Sequence, residues 1–97
     1  MFVPPNEVIY NEDFLKDVRI FPKRIQNKLS ALIELLRENP FDSRLHTKPL
    51  GPPLQGVFSF RITRDYRVGF EFSEPQVIRL LTADKRDKIY KRLRKKL

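Results

Sequence analysis

Apolar residues recur along this chain first at helical and then at strand spacing, and the switch falls at Val57. Val8-Ile9-Tyr10 is a short apolar run that reads as a first strand. Asn11 follows as a helix N-cap, with Glu12 and Asp13 in the first turn, where the helix dipole favours acids. Phe14, Val18 and Phe21 then recur at helical spacing. Pro22 breaks this helix and is placed at the first position of a second one. Within the second, Ile25, Leu29, Leu32, Ile33 and Leu36 form an apolar stripe that Asn39-Pro40 ends, because a residue before proline is pushed out of helical geometry. Two amphipathic helices with a short link make a helical hairpin.

From Val57 the period is two. Phe58, Phe60 and Ile62 alternate with Ser59, Arg61 and Thr63; Tyr66, Val68, Phe70 and Phe72 alternate with Arg67, Gly69 and Glu71. Val77 to Thr82 is a third run after the Glu74-Pro75 turn. Three closely spaced strands predict an antiparallel meander with one face on the helices and the other open. Asp87 is expected to cap a short C-terminal helix whose buried stripe is Ile89, Leu93 and Leu97. The predicted fold class is α+β, a helical hairpin packed on an antiparallel sheet in the order β-α-α-β-β-β-α, as one domain over residues 1–97. The connection 39–56, rich in Pro and Gly, is long for so small a domain. It reads either as a functional loop or as a wrap burying Leu45, Leu50 and Leu54, and both readings can hold together.

Hydrophobic patterning also selects a register. A three-residue turn through Thr63-Arg64-Asp65 sets Phe60 opposite Val68 and Phe58 opposite Phe70, whereas a two-residue turn mixes apolar and charged residues on each face. The three-residue turn sets Arg61 directly opposite Arg67 on the face away from the helices. Like charges so placed are destabilising by up to ~1 kcal/mol. An anion bridging them gives a reason to keep the pair; two ordinary arginines on an exposed sheet face are the plainer explanation. Arg79 fits either face.

Charge sharpens this picture. The last thirteen residues hold eight basic residues and one acid, whereas the first 84 hold twelve and eleven, within a formal net charge of +8. Charge concentrated at one end makes a field suited to a polyanion or an acidic partner. The absence of cysteine excludes a disulfide framework, a thiolate zinc site and a cysteine nucleophile, and one histidine argues against a histidine metal site. No metal or other cofactor is expected. The N-terminus lacks the basic start and apolar run of a signal peptide, and no apolar stretch approaches a membrane span. A cytoplasmic chain with no membrane partner is therefore expected.

The helical hairpin, followed by Leu45-His46-Thr47-Lys48-Pro49-Leu50-Gly51, Gly56-Val57-Phe58-Ser59-Phe60-Arg61-Ile62, Asp65-Tyr66-Arg67-Val68 and Lys85-Arg86-Asp87-Lys88-Ile89-Tyr90, resembles RelE/StbE-type toxins of the RelE/ParE superfamily. The likeness spans about residues 8 to 92, and its strength lies in the order and spacing of motifs that are individually short. The resemblance implies a small α+β fold of microbial-ribonuclease type. It also implies the toxin of a type II toxin–antitoxin pair, a metal-independent endoribonuclease that cuts mRNA on the ribosome. In that chemistry a ribose 2′-hydroxyl attacks the adjacent phosphate, leaving a cyclic phosphate and a 5′-hydroxyl. Carried over by motif, Arg67 and Arg86 contact the phosphate and its transition state with Arg61 in support, since guanidinium is permanently charged and presents a planar fork of donors. Tyr90 matches a terminal tyrosine that stacks on a base or moves a proton. Lys48 stands where several relatives have histidine, and Lys85 flanks the terminal motif. Arg64, Lys88, Lys91, Arg92 and Arg94 complete the expected RNA-binding set. Many members carry histidine where this chain has Arg86, and Phe58 and Phe60 stand where some place strand lysines. The proton acceptor is therefore open among Lys48, Lys85 and Tyr90.

Two other functions fit the same pattern: a ParE-like toxin that poisons DNA gyrase, and an inactive module that binds nucleic acid or an antitoxin. The expected partners are a small acidic antitoxin encoded beside the gene, mRNA and ribosomal RNA.

Overall fold

The computed structural model describes residues 5–96. Its elements are β1 (Glu7–Tyr10), α1 (Glu12–Arg19), α2 (Lys23–Glu38), a single 3-10 turn (Ser43–Leu45), β2 (Lys48–Pro49), β3 (Val57–Arg61), β4 (Tyr66–Glu74), β5 (Val77–Lys85) and α3 (Ile89–Lys96). The start of the chain, Met1 to Pro4, and Leu97 of the expected α3 stripe lie outside the described residues. Among the described residues no helix is long and apolar enough to cross a membrane.

The β3-β4-β5 meander forms in the expected register, with Phe60 opposite Val68, Arg61 opposite Arg67 and Phe58 opposite Phe70. The sheet, however, is mixed and five-stranded, in the order β1-β5-β4-β3-β2. β1 runs parallel to β5, placing Val8 beside Ile78, while β2 adds an antiparallel edge to β3. The helical hairpin supplies the crossover between the parallel strands. Phe14, Ile25, Leu29, Ile33 and Leu36 bury against Phe60, Ile62, Val68, Phe70, Ile78 and Leu80. The Gln26 side-chain amide donates to the carbonyls of Val18 and Phe21, closing the link between α1 and α2. Pro22 sits one position earlier than expected, as the extended N-cap of α2, where its carbonyl accepts from Ile25 and Gln26.

The second sheet face is not open, contrary to expectation. Leu50, Leu54, Val57, Leu81, Ile89 and Leu93 form a second core there, roofed by α3 and the 39–56 connection. That connection is thus a wrap, and it also delivers Lys48 to the sheet edge. An irregularity in the β4–β5 pairing between Gly69 and Phe70 skips Leu81, which joins this second core. Gly69 is the seat for α3: a Cβ there would lie 2.7 Å from both methyl carbons of Leu93.

Arg92 fastens α3 from its other side. Its guanidinium contacts Asp17 at 2.8 Å and Asp84 at 3.1 Å, and donates to the Ala83 carbonyl. The second Asp17 oxygen accepts from the Thr82 hydroxyl and the Ala83 N–H, covering the part of the β5 edge that β1 does not reach. Asp87 does not cap α3, because the helix opens at Ile89 and leaves Asp87 in the preceding turn.

Candidate nucleic-acid site

The site follows from which residues share the α3 side of the sheet. Arg61 and Arg67 form one row with Asp84, Lys48 and Ser59 form the next with Gly69, and Val57, Glu71 and Arg79 form a third. In the third row Arg79 pairs with Glu71 at 3.9 Å, which settles the ambiguous face of Arg79 and neutralises it. Asp84 at the end of the first row is taken by Arg92. Arg61, Arg67 and Lys48 are left without an ion pair among the described residues.

Arg67 is only 8% exposed. Its guanidinium donates to the Thr63 carbonyl at 3.3 Å and meets no counter-ion among the described residues. A nearly buried cation so thinly partnered is costly. Across from it, the Arg61 Nε is buried and finds no acceptor among the described residues. Two guanidiniums short of acceptors, on adjacent strands and in one row, make a place for an anion with several oxygens.

Tyr90, on the first turn of α3, stands over the middle row. Burial pushes its phenol up, but Lys48, the Ser59 hydroxyl and the charge of Arg67 outweigh this and hold it below its ordinary value. The Lys48 ammonium is 5.7 Å from the centre of the Tyr90 ring. That distance is at the outer limit for a cation acting on the ring face, so its main influence falls on the phenol oxygen. Lys48, Tyr90 and Arg94 line one cleft of about 360 Å³ with the Pro49–Leu54 loop.

The expected site residues therefore divide. Lys48, Arg61, Arg67 and Tyr90 come together, with Arg94 at the rim of the cleft. Lys85 and Arg86 do not join them: they line a separate cleft with Arg24, Asp65, Tyr66 and Asp87. Arg64, Lys88 and Lys91 are exposed and line neither cleft. Arg92 is committed to Asp17 and Asp84 and so holds α3 in place. His46 is exposed, in the left-handed region at φ 52°, and lines neither cleft. Ser59 was the omission: it is 1% exposed beneath Tyr90, and the aromatic-Ser-x-Arg motif was the signal that pointed to it.

No protein-family model matches this sequence, and no curated protein matches it. Solved structures do. The chain is similar to the toxin–antitoxin complex RelBE2 from Mycobacterium tuberculosis at 30% identity, over 84% of this chain and 99% of that one, with a TM-score of 0.65. It is similar to YafQ from Escherichia coli at 21% identity, over 88% and 98%, with a TM-score of 0.72. The archaeal RelE–RelB complex from Pyrococcus horikoshii aligns at 20% identity, over 84% and 96%, with a TM-score of 0.70. The latter two establish the shared fold; the first carries the likeness into sequence.

Proposed function

This chain belongs to the RelE/ParE superfamily of toxins, and on that premise we propose that it is the toxin of a type II toxin–antitoxin pair, cutting mRNA on the ribosome without a metal. The observation that supports cleavage is the pairing of two acceptor-poor guanidiniums, Arg61 and Arg67, with a phenol that Lys48 and Arg67 hold below its ordinary pKa.

The roles follow from charge and position. Arg67, with Arg61, receives the scissile phosphate and the extra negative charge that develops on its oxygens. Tyr90, as phenolate stabilised by Lys48, takes the proton of the ribose 2′-hydroxyl as that oxygen bonds to phosphorus. Lys48 gives a proton to the departing 5′-oxygen as the P–O bond breaks. Proton exchange between Tyr90 and Lys48 then restores both groups. Ser59 orients the phenol, and Arg94 at the rim meets a flanking phosphate.

The partner in this reading is a small acidic antitoxin. Two relatives are described as a RelE–RelB complex and a toxin–antitoxin complex, and this chain keeps Leu15, Ile20 and Phe41 exposed besides cations that hold no ion pair among the described residues. Primer extension on cellular mRNA after induction tests the reading. Cuts that track the reading frame and vanish when translation is blocked, or in Arg67→Ala, are expected. Intact mRNA accompanied by a DNA-damage response would replace the ribonuclease with a gyrase poison.

A further inference from the structure

α3 rests on the sheet through Ile89 and Leu93, its two buried residues. At 3.6 residues per turn, Tyr90 and Arg92 fall on opposite flanks of that stripe, roughly 160° apart around the axis. Tyr90, with Arg94 one turn on, lines the cleft that holds Lys48. Arg92, with Lys96 one turn on, turns instead to α1, where Arg92 meets Asp17 and Lys96 meets Asp13. An apolar seat of two residues fixes where the helix lies but leaves its rotation about its own axis to the flanks.

The Arg92 guanidinium is held from two sides. One nitrogen donates to the Asp84 carboxylate at 3.1 Å and the Ala83 carbonyl at 3.2 Å, both on β5; the other donates to Asp17 on α1 at 2.8 Å. Asp17 is itself fixed. Its second oxygen accepts from the Thr82 hydroxyl and from the Ala83 N–H at 3.0 Å, and one turn away its helix is anchored in the core by Phe14. A planar fork clamped by carboxylates of two elements does not swivel as a lone surface ion pair does. A helix with its side chains has a radius of about 5–6 Å, so a roll of about 10° carries a residue on its flank by roughly 1 Å. A displacement of about 1 Å at reacting groups costs on the order of 10²-fold in rate.

We propose that Asp17, acting through Arg92, is a positioning residue for Tyr90: it sets the roll of α3 and with it the place of the phenol over Ser59 and beside Lys48. α1 is thereby coupled to the cleft although it contributes no side chain to the lining. The proposal rests on the nuclease reading only where a catalytic rate is measured; the place of the phenol is read without substrate.

The test is the ionisation of Tyr90 in the full chain, taken as the difference in phenolate absorbance between each protein and its Tyr90→Phe counterpart. Asp17→Asn keeps an oxygen for Thr82 and Ala83 but gives up the anion that holds Arg92. The direct field of a lost carboxylate favours phenolate and lowers the ionisation. Displacement from Lys48, Ser59 and Arg67, the groups that hold the phenol down, raises it toward the usual ~10. The sign therefore separates position from field, and an upward shift is expected. α3 amides should keep their protection against hydrogen exchange, since Ile89, Leu93 and the Asp84 pair remain. Cleavage should lose roughly 10- to 10²-fold in kcat with KM little changed, because Arg61 and Arg67 still hold the phosphate. Arg92→Lys conserves the charge but not the fork, and should give a smaller upward shift. Glu12→Gln removes another α1 acid, one that meets Lys16 at the surface, and should change none of these readings. An unmoved or lowered ionisation in Asp17→Asn and Arg92→Lys would overturn the proposal. So would loss of α3 protection in Asp17→Asn, which would make the residue a fastener alone. An intact protein that cuts no mRNA, with the upward shift observed, removes the nuclease reading alone; cleavage with an unmoved phenol removes this proposal alone.

Discussion

Leu93→Ala removes the side chain that seats α3 on the sheet. Leu93 is fully buried over Gly69, and only it and Ile89 are buried on α3. Burying each contributes roughly 1.5–3 kcal/mol, so the change takes away about half of the apolar attachment of the helix. A Leu→Ala change in a core costs about 2–5 kcal/mol. A short terminal helix can settle into the space, which places this one near 2–3 kcal/mol. At eight residues α3 is far below the ~12–15 at which a helix is marginal by itself in water. Its order therefore depends on these contacts and on Arg92. A loss of 2–3 kcal/mol raises the opening equilibrium roughly 30- to 150-fold. Amide hydrogen exchange reads this directly: α3 amides should speed up by that factor, while β4 and β5 amides remain the slowest in the protein. Cleavage should fall with α3 protection, since opening carries Tyr90 away from Ser59 and Lys48. Exchange of α3 and the central strands at one common rate in the variant would refute the reasoning, because α3 would then open only with the whole sheet.

Three further outcomes are expected. The Tyr90 phenol should ionise below the usual ~10, seen as the difference in phenolate absorbance between the intact protein and Tyr90→Phe. Lys48→Met removes the largest influence opposing burial, leaving the Ser59 hydroxyl and the Arg67 charge, and should move that ionisation upward; the pH–rate profile should then rise at higher pH and to a lower plateau, because the proton donor to the 5′-oxygen is lost as well. Arg67→Met should reduce kcat by about 10²–10³ yet leave the melting temperature unchanged or higher, because a thinly partnered buried cation is replaced by an apolar side chain of similar length. Gly69→Ala should cost about 1–3 kcal/mol in thermal unfolding by driving a Cβ into Leu93, and combining it with Leu93→Ala should recover part of the loss, a coupling that additive costs would disprove.

The register of the meander was legible because its two faces differ so sharply. A slip of one residue would have set Arg61 among phenylalanines, and no turn chemistry could have offset that. The partner of β1 was not legible, since a four-residue edge strand carries no pattern that names its neighbour. The second core was hidden for a local reason. Leu81 breaks strict alternation, and only the irregularity beside Gly69 shows which face it takes. Gly69 itself read as one small residue in an alternating run, though its missing Cβ is what admits Leu93.

The basic run at the C-terminus shows most clearly how structure divides what sequence presents as uniform. Arg86 and Tyr90 are four apart, a spacing that would make their side chains neighbours if both lay on the helix. Because α3 starts at Ile89, Arg86 stays in the turn and faces the Arg24 cleft, while Tyr90 is carried over Ser59. Arg92 and Lys96 look identical to their neighbours in sequence, yet each meets an acid of α1 some eighty residues away, Asp17 and Asp13. Those two cations fasten the helix, and the rest remain for a ligand. The length of this helix thus decides the chemistry. Begun one turn earlier, α3 would bring Arg86 into line with Tyr90; begun where it is, it leaves the two in separate clefts.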